Sequence, residues 1–204
     1  MAGSQDEAIG RVLRASTVGF SAGARVGQID GLNFGMVVRA QPRENNSAAI
    51  YGLMYDITID DDPLVRQMVL ADTMDEELIR DQHYHRIVPV EMKVLAIGYR
   101  AYDGAIRHAL PPRPPLSLDP VFACGPEETR EVTSRFDYFR LVLSTAHVPG
   151  EQLLATNLLM AAQMLAEDEQ YDFLVRAGRE AARLLSGDMA RLDNLLRLIY
   201  PSTV

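Results

Sequence analysis

Residues 88–99 read VPVEMKVLAIGY, and apolar side chains alternate with charged ones through the first half of this stretch. Glu91 and Lys93 interrupt the apolar series at every second position. A period of two is typical of a β-strand with one face in a core and the other in water. We therefore predict a strand here, with Glu91 and Lys93 on its wet face.

The chain before residue 60 contains further stretches of this kind. Residues 8–17, 34–40 and 50–59 are rich in apolar and β-branched side chains and are separated by Gly, Asn and Asp, a composition typical of strands joined by tight turns. We predict a strand in each stretch, a loop at residues 42–47 and a last short strand at residues 121–124. The residues expected to break the chain between the first two strands are Gly23, Gly27 and Gly31.

The segment between residues 60 and 87 changes to helical spacing. Asp62 precedes Pro63, and a helix can begin there because proline has no N–H to leave unpaired and an acidic side chain caps the helix start. Thr73 and Glu76 have the spacing of a capping box. We therefore predict two short helices between residues 63 and 84.

Two groups in the same segment have side chains that can bind metals. Asp60, Asp61 and Asp62 offer carboxylate oxygens, and His83 and His85 form an H-x-H pair. Two imidazoles at this spacing share a face in a strand but diverge in a helix. The helical spacing favours capping by the aspartates and a helix end at the histidines, and a metal-dependent enzyme is the alternative.

From residue 150 onward the spacing of apolar residues indicates amphipathic helices. They recur at steps of three and four in three runs, at residues 153–165, 174–185 and 189–199, with a break near residues 167–169. We therefore predict an α+β protein with three parts. These are a β-rich domain with a short helical insertion at residues 1–125, a connector at residues 126–149 and a C-terminal region of three helices at residues 150–204.

Two features could bind a protein partner. The last helix carries Leu192, Leu195, Leu196 and Ile199 on one face, which either packs inside the chain or forms a partner-binding surface. The stretch Pro111-Pro112-Arg113-Pro114-Pro115 is either an ordered loop, the simpler interpretation, or a polyproline ligand for an aromatic groove.

The charge balance limits the classes of partner. Lys plus Arg is 20 and Asp plus Glu is 28, and the resulting net charge of −8 argues against a polyanion-binding surface. The first 45 residues nevertheless contain a local excess of arginine, so a small-barrel nucleic-acid-binding module is an alternative. These arginines are Arg11, Arg14, Arg25, Arg39 and Arg43.

The remaining composition argues against common enzyme classes. Lys93 is the only lysine and lies outside any phosphate-loop pattern, so the chain is not a P-loop ATPase. Cys124 is the only cysteine, which excludes an internal disulfide and leaves a small buried thiol as its expected role. The acidic start, with Asp6 and Glu7, resembles neither a signal peptide nor a membrane anchor. We therefore expect a cytoplasmic protein that is not an enzyme and holds no cofactor.

Four stretches of the β-rich part follow one another in a characteristic order. They are IGRVL at residues 9–13 followed by Thr17 and Phe20, FGMVV at residues 34–38, YGLMYDI at residues 51–57, and LAIGY at residues 95–99 with the prolines at residues 111–115 leading into PVF at residues 120–122. In this order they resemble the HAS-barrel, the small β-barrel at the N-terminus of HerA-type DNA-translocating ATPases and of ATP synthase catalytic subunits.

The resemblance covers about residues 8–125. It implies a small β-barrel which, in its larger relatives, helps to assemble a hexameric ring and docks partner proteins at one mouth. Where the family's ATPase core would begin, this chain continues with predicted helices, so the family's catalytic residues have no counterpart here. The resemblance therefore implies a non-enzymatic assembly or adaptor protein that forms a homo-oligomer or docks onto a HerA-type ring ATPase.

Overall fold

A computed structural model describes residues 7–25, 31–42, 49–59 and 89–200 of the chain. Within these residues the chain forms seven strands and five α-helices. The strands are β1 (Gly10–Ala15), β2 (Gly19–Arg25), β3 (Val37–Ala40), β4 (Ile50–Ile59), β5 (Pro89–Arg100), β6 (Ile106–Arg107) and β7 (Pro120–Ala123).

Six of the strands close into an antiparallel barrel. Their order around the ring is β2-β1-β7-β3-β4-β5, and β5 completes the ring by pairing with β2. The long strand β5 pairs with β2 up to Leu95 and then with β6 through Tyr99 and Arg100, so β6 lies outside the ring. The structure thus confirms an α+β protein that contains a small β-barrel.

Apolar side chains fill the barrel. Every one of its six strands contributes a residue that is at most 5% exposed, because alternate positions of each strand point inward. The residues of this core that lie on the strands are Val12, Phe20, Ala22, Val38, Ala40, Ile50, Met54, Val90, Met92, Val94 and Val121. On the outer face of β5 the side chains of Glu91 and Lys93 remain 23% and 39% exposed, which confirms the predicted wet face.

The helices follow the last strand. They are α1 (Pro126–Thr133), α2 (Phe139–Leu143), α3 (Gly150–Gln163), α4 (Glu167–Leu184) and α5 (Met189–Ile199), and a single 3-10 turn at Phe136–Tyr138 precedes α2. Pro126 begins α1, where its missing N–H costs nothing. The side chain of Asp188 caps α5 by accepting a 3.1 Å hydrogen bond from the backbone N–H of Arg191. The three helical runs predicted after residue 150 are therefore confirmed.

A second core joins the helices to the outside of the barrel. Tyr51, Leu53, Leu95 and Ile97 belong to barrel strands but cluster with apolar residues of the helices rather than with the barrel interior. The helices thus cover part of β4 and β5, so these strands are buried on both faces there. This explains why Leu95 is 3% exposed although it shares a strand face with Glu91 and Lys93.

The structure differs from the sequence predictions at two elements. Gly19 and Gly23 lie within β2, which pairs with β1 on one side and β5 on the other, so Gly23 does not break the chain. Glu167 begins α4 rather than ending the helix before it, because acidic residues are favourable in the first turn of a helix. The helices predicted between residues 63 and 84, and nearly all of the loop predicted at residues 42–47, lie outside the described residues.

Candidate protein-docking surface

The leucines predicted to bind a partner on α5 lie mainly inside the chain. Leu192, Leu195 and Ile199 are between 0% and 7% exposed and belong to the core shared by the helices and the barrel. Leu196 is partly exposed and packs over Gly178 of α4. A partner could therefore reach only Leu196 of the four without moving α5.

Two of the five arginines of the predicted patch pair with carboxylates. Arg14 forms a 2.7 Å ion pair with Glu91, and Arg39 forms a 3.1 Å ion pair with Glu128. Arg11 donates a hydrogen bond to a backbone carbonyl. Arg43 and the side chain of Arg25 lie outside the described residues. These ion pairs reduce the positive charge that Arg14 and Arg39 offer to a polyanion, while Arg11 stays exposed.

The candidate metal ligands Asp60, Asp61, Asp62, His83 and His85 all lie outside the described residues. Among the residues that are described, no group of three or more His, Cys, Asp or Glu side chains is arranged to hold a metal ion. The metal hypothesis therefore stays a prediction about the segment between β4 and β5.

Two side chains with nucleophilic chemistry lie in environments that suppress it. Burial raises the pKa of the Cys124 thiol, and the negative charge of Glu128 raises it further. Residues 19–23 read GFSAG, which has the G-x-S-x-G pattern of a hydrolase nucleophile and was missed by the sequence reasoning. Ser21 lies in the middle of β2 rather than at a strand-to-helix turn, is 5% exposed, and accepts a 3.3 Å hydrogen bond from Arg14.

The proline-rich stretch forms an ordered loop anchored at both ends. We call residues 110–119 the leucine loop. Pro111 and Pro115 are buried and Asp119 is 4% exposed, whereas the residues between these anchors are exposed. Asp119 closes the end of the loop, because its carboxylate accepts a 2.8 Å hydrogen bond from the N–H of Leu116 and its own N–H donates to the Leu116 carbonyl at 3.1 Å.

Leu118 has a left-handed backbone conformation, with φ of 71°. Among the described residues it is the only one other than glycine with positive φ. A residue with a Cβ pays about 1–2 kcal/mol for this conformation. Hydrogen bonds to β1 hold it in place, since the Leu118 N–H donates to the Val12 carbonyl at 2.8 Å and the Leu118 carbonyl accepts from Arg11 at 3.1 Å.

A third leucine, on β1, lies beside the loop. Val12 is buried in the barrel, and the next residue, Leu13, lies outside over Gly23, as alternation along a strand requires. The register of β1 shifts between Val12 and Arg14. Ser117 of the loop donates a 3.2 Å hydrogen bond to the Leu13 carbonyl. Leu13, Leu116 and Leu118 are 52%, 60% and 64% exposed, and we call these three residues the leucine surface.

The sequence reasoning missed the leucine surface because it searched for apolar faces with a helical or strand period. Leu116 and Leu118 belong to a loop, and Leu13 lies on β1, which is distant from that loop in sequence. The sequence did contain one usable signal. Two leucines within a proline-rich stretch cannot both be part of a regular buried element, so at least one is expected on the surface.

A polar network fixes α1 to the barrel. The hydroxyl of the buried Tyr51 donates to Glu128 at 2.9 Å and accepts from Arg100 at 2.7 Å. Arg100 also donates to both carboxylate oxygens of Glu131, at 3.0 and 2.7 Å. Burial and the neighbouring Glu128 raise the pKa of Tyr51. These side chains are committed to one another, so we interpret the network as structural.

Compared with protein-family models and with curated proteins, the chain matches none of them significantly. Within the part of the chain that the structure describes, no helix combines the length and the apolar character needed to cross a bilayer.

Proposed function

We propose that this chain is a non-enzymatic adaptor that docks a protein partner on the leucine surface. The partner class that we propose is a ring ATPase of the HerA type, because the barrel stretches resemble the HAS-barrel of those enzymes. Assembly of the chain into a homo-oligomer through the same surface is the other form of this proposal. The six-stranded barrel in the structure is compatible with the resemblance.

The observation that carries the proposal is an apolar side chain kept exposed on a strained backbone. Leu118 is 64% exposed and has positive φ. For the isolated chain a glycine there would relieve the strain, and a polar residue would remove the exposed apolar surface. A residue that is unfavourable for the fold on both counts supports a role in binding something outside the chain.

The rigidity of the leucine loop also supports docking. Buried Pro111, Pro115 and Asp119 fix the loop, and the hydrogen bonds to Val12 and Leu13 fix it to β1. An anchor side chain on a rigid support loses little conformational entropy on binding, so more of its apolar contact energy appears as affinity.

The charges next to the leucine surface indicate the chemistry of the partner. Arg11 of β1 and Arg113 of the leucine loop are both exposed, and Arg14 is 76% exposed even though it is paired with Glu91. A complementary partner surface has an apolar centre that accepts the leucines and acidic side chains at its rim. We place this contact in the cytoplasm, where a lone thiol such as Cys124 stays reduced.

Size-exclusion chromatography with light scattering tests the proposed function. The chain is run alone and mixed with the HerA-type ATPase of the same organism. We expect either a complex whose mass is the ATPase ring plus bound chains, or a closed homo-oligomer of the chain. A strict monomer that leaves the mass of the ATPase unchanged at micromolar concentrations would contradict the proposal.

A further inference from the structure

A concave site lies on another part of the molecule, between β6 and the 3-10 turn that precedes α2. Its volume is about 340 Å³. One wall is formed by residues 106–109, and the other by Arg135, Asp137 and Arg140. Neither wall belongs to the leucine loop, so a ligand here would not depend on the proposed docking function.

His108 lines this site and is held in one orientation. His108 is 8% exposed, and its ring packs against Tyr138 with ring centroids 5.4 Å apart and places Nδ1 3.3 Å from the Ile97 carbonyl oxygen. Gly98 allows β6 and the His108 ring to lie close to β5, because a Cβ at that position would lie 2.7 Å from the Arg107 carbonyl oxygen and 3.4 Å from His108 Nδ1.

The hydrogen bond of His108 defines the chemistry of its second nitrogen. A carbonyl oxygen can only accept, so Nδ1 carries the proton. Burial lowers the pKa of His108, so the ring is neutral at pH 7 and Nε2 is an acceptor. Among the described residues, every buried polar side-chain atom has a hydrogen-bond partner. Nε2 of His108 has no hydrogen-bond partner, so it is not buried. Because the ring lines the concave site, Nε2 is in contact with solvent there.

Three arginines line the same site as this acceptor. Arg140 donates a 3.0 Å hydrogen bond to the His108 carbonyl oxygen, which fixes its guanidinium at the edge of the site. Arg135 pairs with Asp137 at 3.0 Å, and Arg107 pairs with Asp103 at 2.8 Å. Both pairs are at least half exposed, and such ion pairs are weak enough to rearrange around a stronger ligand.

We propose that this site binds a phosphate dianion that keeps one P–OH group, of which inorganic phosphate is the simplest example. The guanidinium groups of Arg107, Arg135 and Arg140 bind the anionic oxygens through charge-assisted hydrogen bonds. Nε2 of His108 accepts the hydrogen bond of the P–OH group. Sulfate has the same shape and charge but no O–H group to donate, so the site distinguishes the two anions.

A titration of the full chain with inorganic phosphate, followed by NMR of the imidazole nitrogens, tests this site. We expect saturable shifts of the His108 resonances at pH 7.5 and binding of sulfate at least about fivefold weaker. The substitutions Arg135→Leu and Arg140→Leu each remove a charge-assisted hydrogen bond and should weaken phosphate binding roughly tenfold.

Arg197→Leu is the matched control. The Arg197 side chain, on α5, is 76% exposed and pairs with Asp193 at 2.9 Å. This nearly repeats the exposure and pairing of Arg135, which lies just before the 3-10 turn. We expect the Arg197→Leu variant to bind phosphate with the same affinity as the wild type. The proposal is overturned if phosphate leaves His108 unshifted, if sulfate binds as tightly as phosphate, or if Arg197→Leu weakens binding as much as Arg135→Leu.

Discussion

The Asn157 side chain of α3 donates a 3.0 Å hydrogen bond from Nδ2 to the backbone carbonyl oxygen of Gly35, just before β3 of the barrel. The Oδ1 atom of the same side chain accepts a 2.8 Å hydrogen bond from the Tyr138 hydroxyl. Asn157 and Tyr138 are both 0% exposed. One buried amide therefore ties two helical segments to the barrel, and every polar atom in this contact has a partner.

Removal of this amide should destabilise the fold strongly. Asn157→Leu leaves the Tyr138 hydroxyl and the Gly35 carbonyl buried without partners, at a cost of about 2–4 kcal/mol in the free energy of unfolding. Tyr138→Phe leaves only one acceptor unpaired and should cost about half as much. Urea unfolding followed by circular dichroism measures both, and losses below about 0.5 kcal/mol for Asn157→Leu would show that the contact does not hold the helices to the barrel.

Alanine substitutions at two glycines with positive φ should distinguish the energetic cost of backbone strain from that of steric crowding. Gly35 and Gly104 have φ of 85° and 83°, but a Cβ at Gly35 would lie 2.9 Å from Thr156 Cγ2, whereas a Cβ at Gly104 meets nothing within 4 Å. Gly104→Ala should cost about 1 kcal/mol from strain alone. Gly35→Ala should cost at least about 1 kcal/mol more, because α3 must shift. Thermal unfolding gives both values, and equal losses would contradict the close approach of α3 to the barrel.

The free energy of unfolding should decrease at alkaline pH, because a buried thiol and a buried phenol keep their protons in the folded state and ionise more easily in the unfolded chain. Burial raises the folded pKa of Cys124 and of Tyr138 above their unfolded values, so their contribution is complete below the unfolded pKa and is lost as the pH rises above it. Between about pH 8.5 and 10 only the thiol of this pair ionises in the unfolded chain. In this pH window the unfolding free energy of Cys124→Ala should therefore decrease less steeply with pH than that of the wild type. Identical pH dependences for the two proteins would mean that the Cys124 thiol is exposed to solvent.

Leu118→Gly should leave the fold intact or make it slightly more stable. The glycine relieves the left-handed strain of about 1–2 kcal/mol, and the greater flexibility of the unfolded chain offsets about 0.5–1 kcal/mol of that gain. Little core packing is lost, since Leu118 is 64% exposed. A melting temperature at or above that of the wild type is the expected result. A drop of several degrees would mean that Leu118 supports the fold rather than a partner.

The barrel strands and the last three helices were predictable because burial there follows a regular period. In β5, Met92 points into the barrel while Glu91 and Lys93 face water, so a period of two is visible in the sequence. The strand β2 was not predictable in this way. Gly19 and Gly23 resemble turn residues in the sequence. Their place in the barrel follows from the pairing of β2 with β1, which is adjacent in sequence, and with β5, which is distant.

Neither candidate site follows a sequence period. Leu116 and Leu118 belong to a loop, and Leu13 joins them from β1, which is distant in sequence. The concave site near His108 is formed by residues that are distant in sequence. That Arg107 and Arg135 line the same site could therefore be found only from the folded structure. The leucine face of α5 was recognised correctly as apolar, but Leu195 packs inside the chain rather than on a free surface.

The affinity of the HerA-type ATPase for matched variants of this chain tests the docking proposal most directly. The variant Leu116→Ser/Leu118→Gly removes two exposed leucines, and Met189→Ser removes a side chain of similar exposure, 67%, at the start of α5. By isothermal titration calorimetry we expect the wild type and Met189→Ser to bind with equal affinity and the double variant to bind at least about tenfold more weakly. Equal affinities for all three proteins, or no binding by the wild type, would contradict docking of the ATPase on the leucine surface.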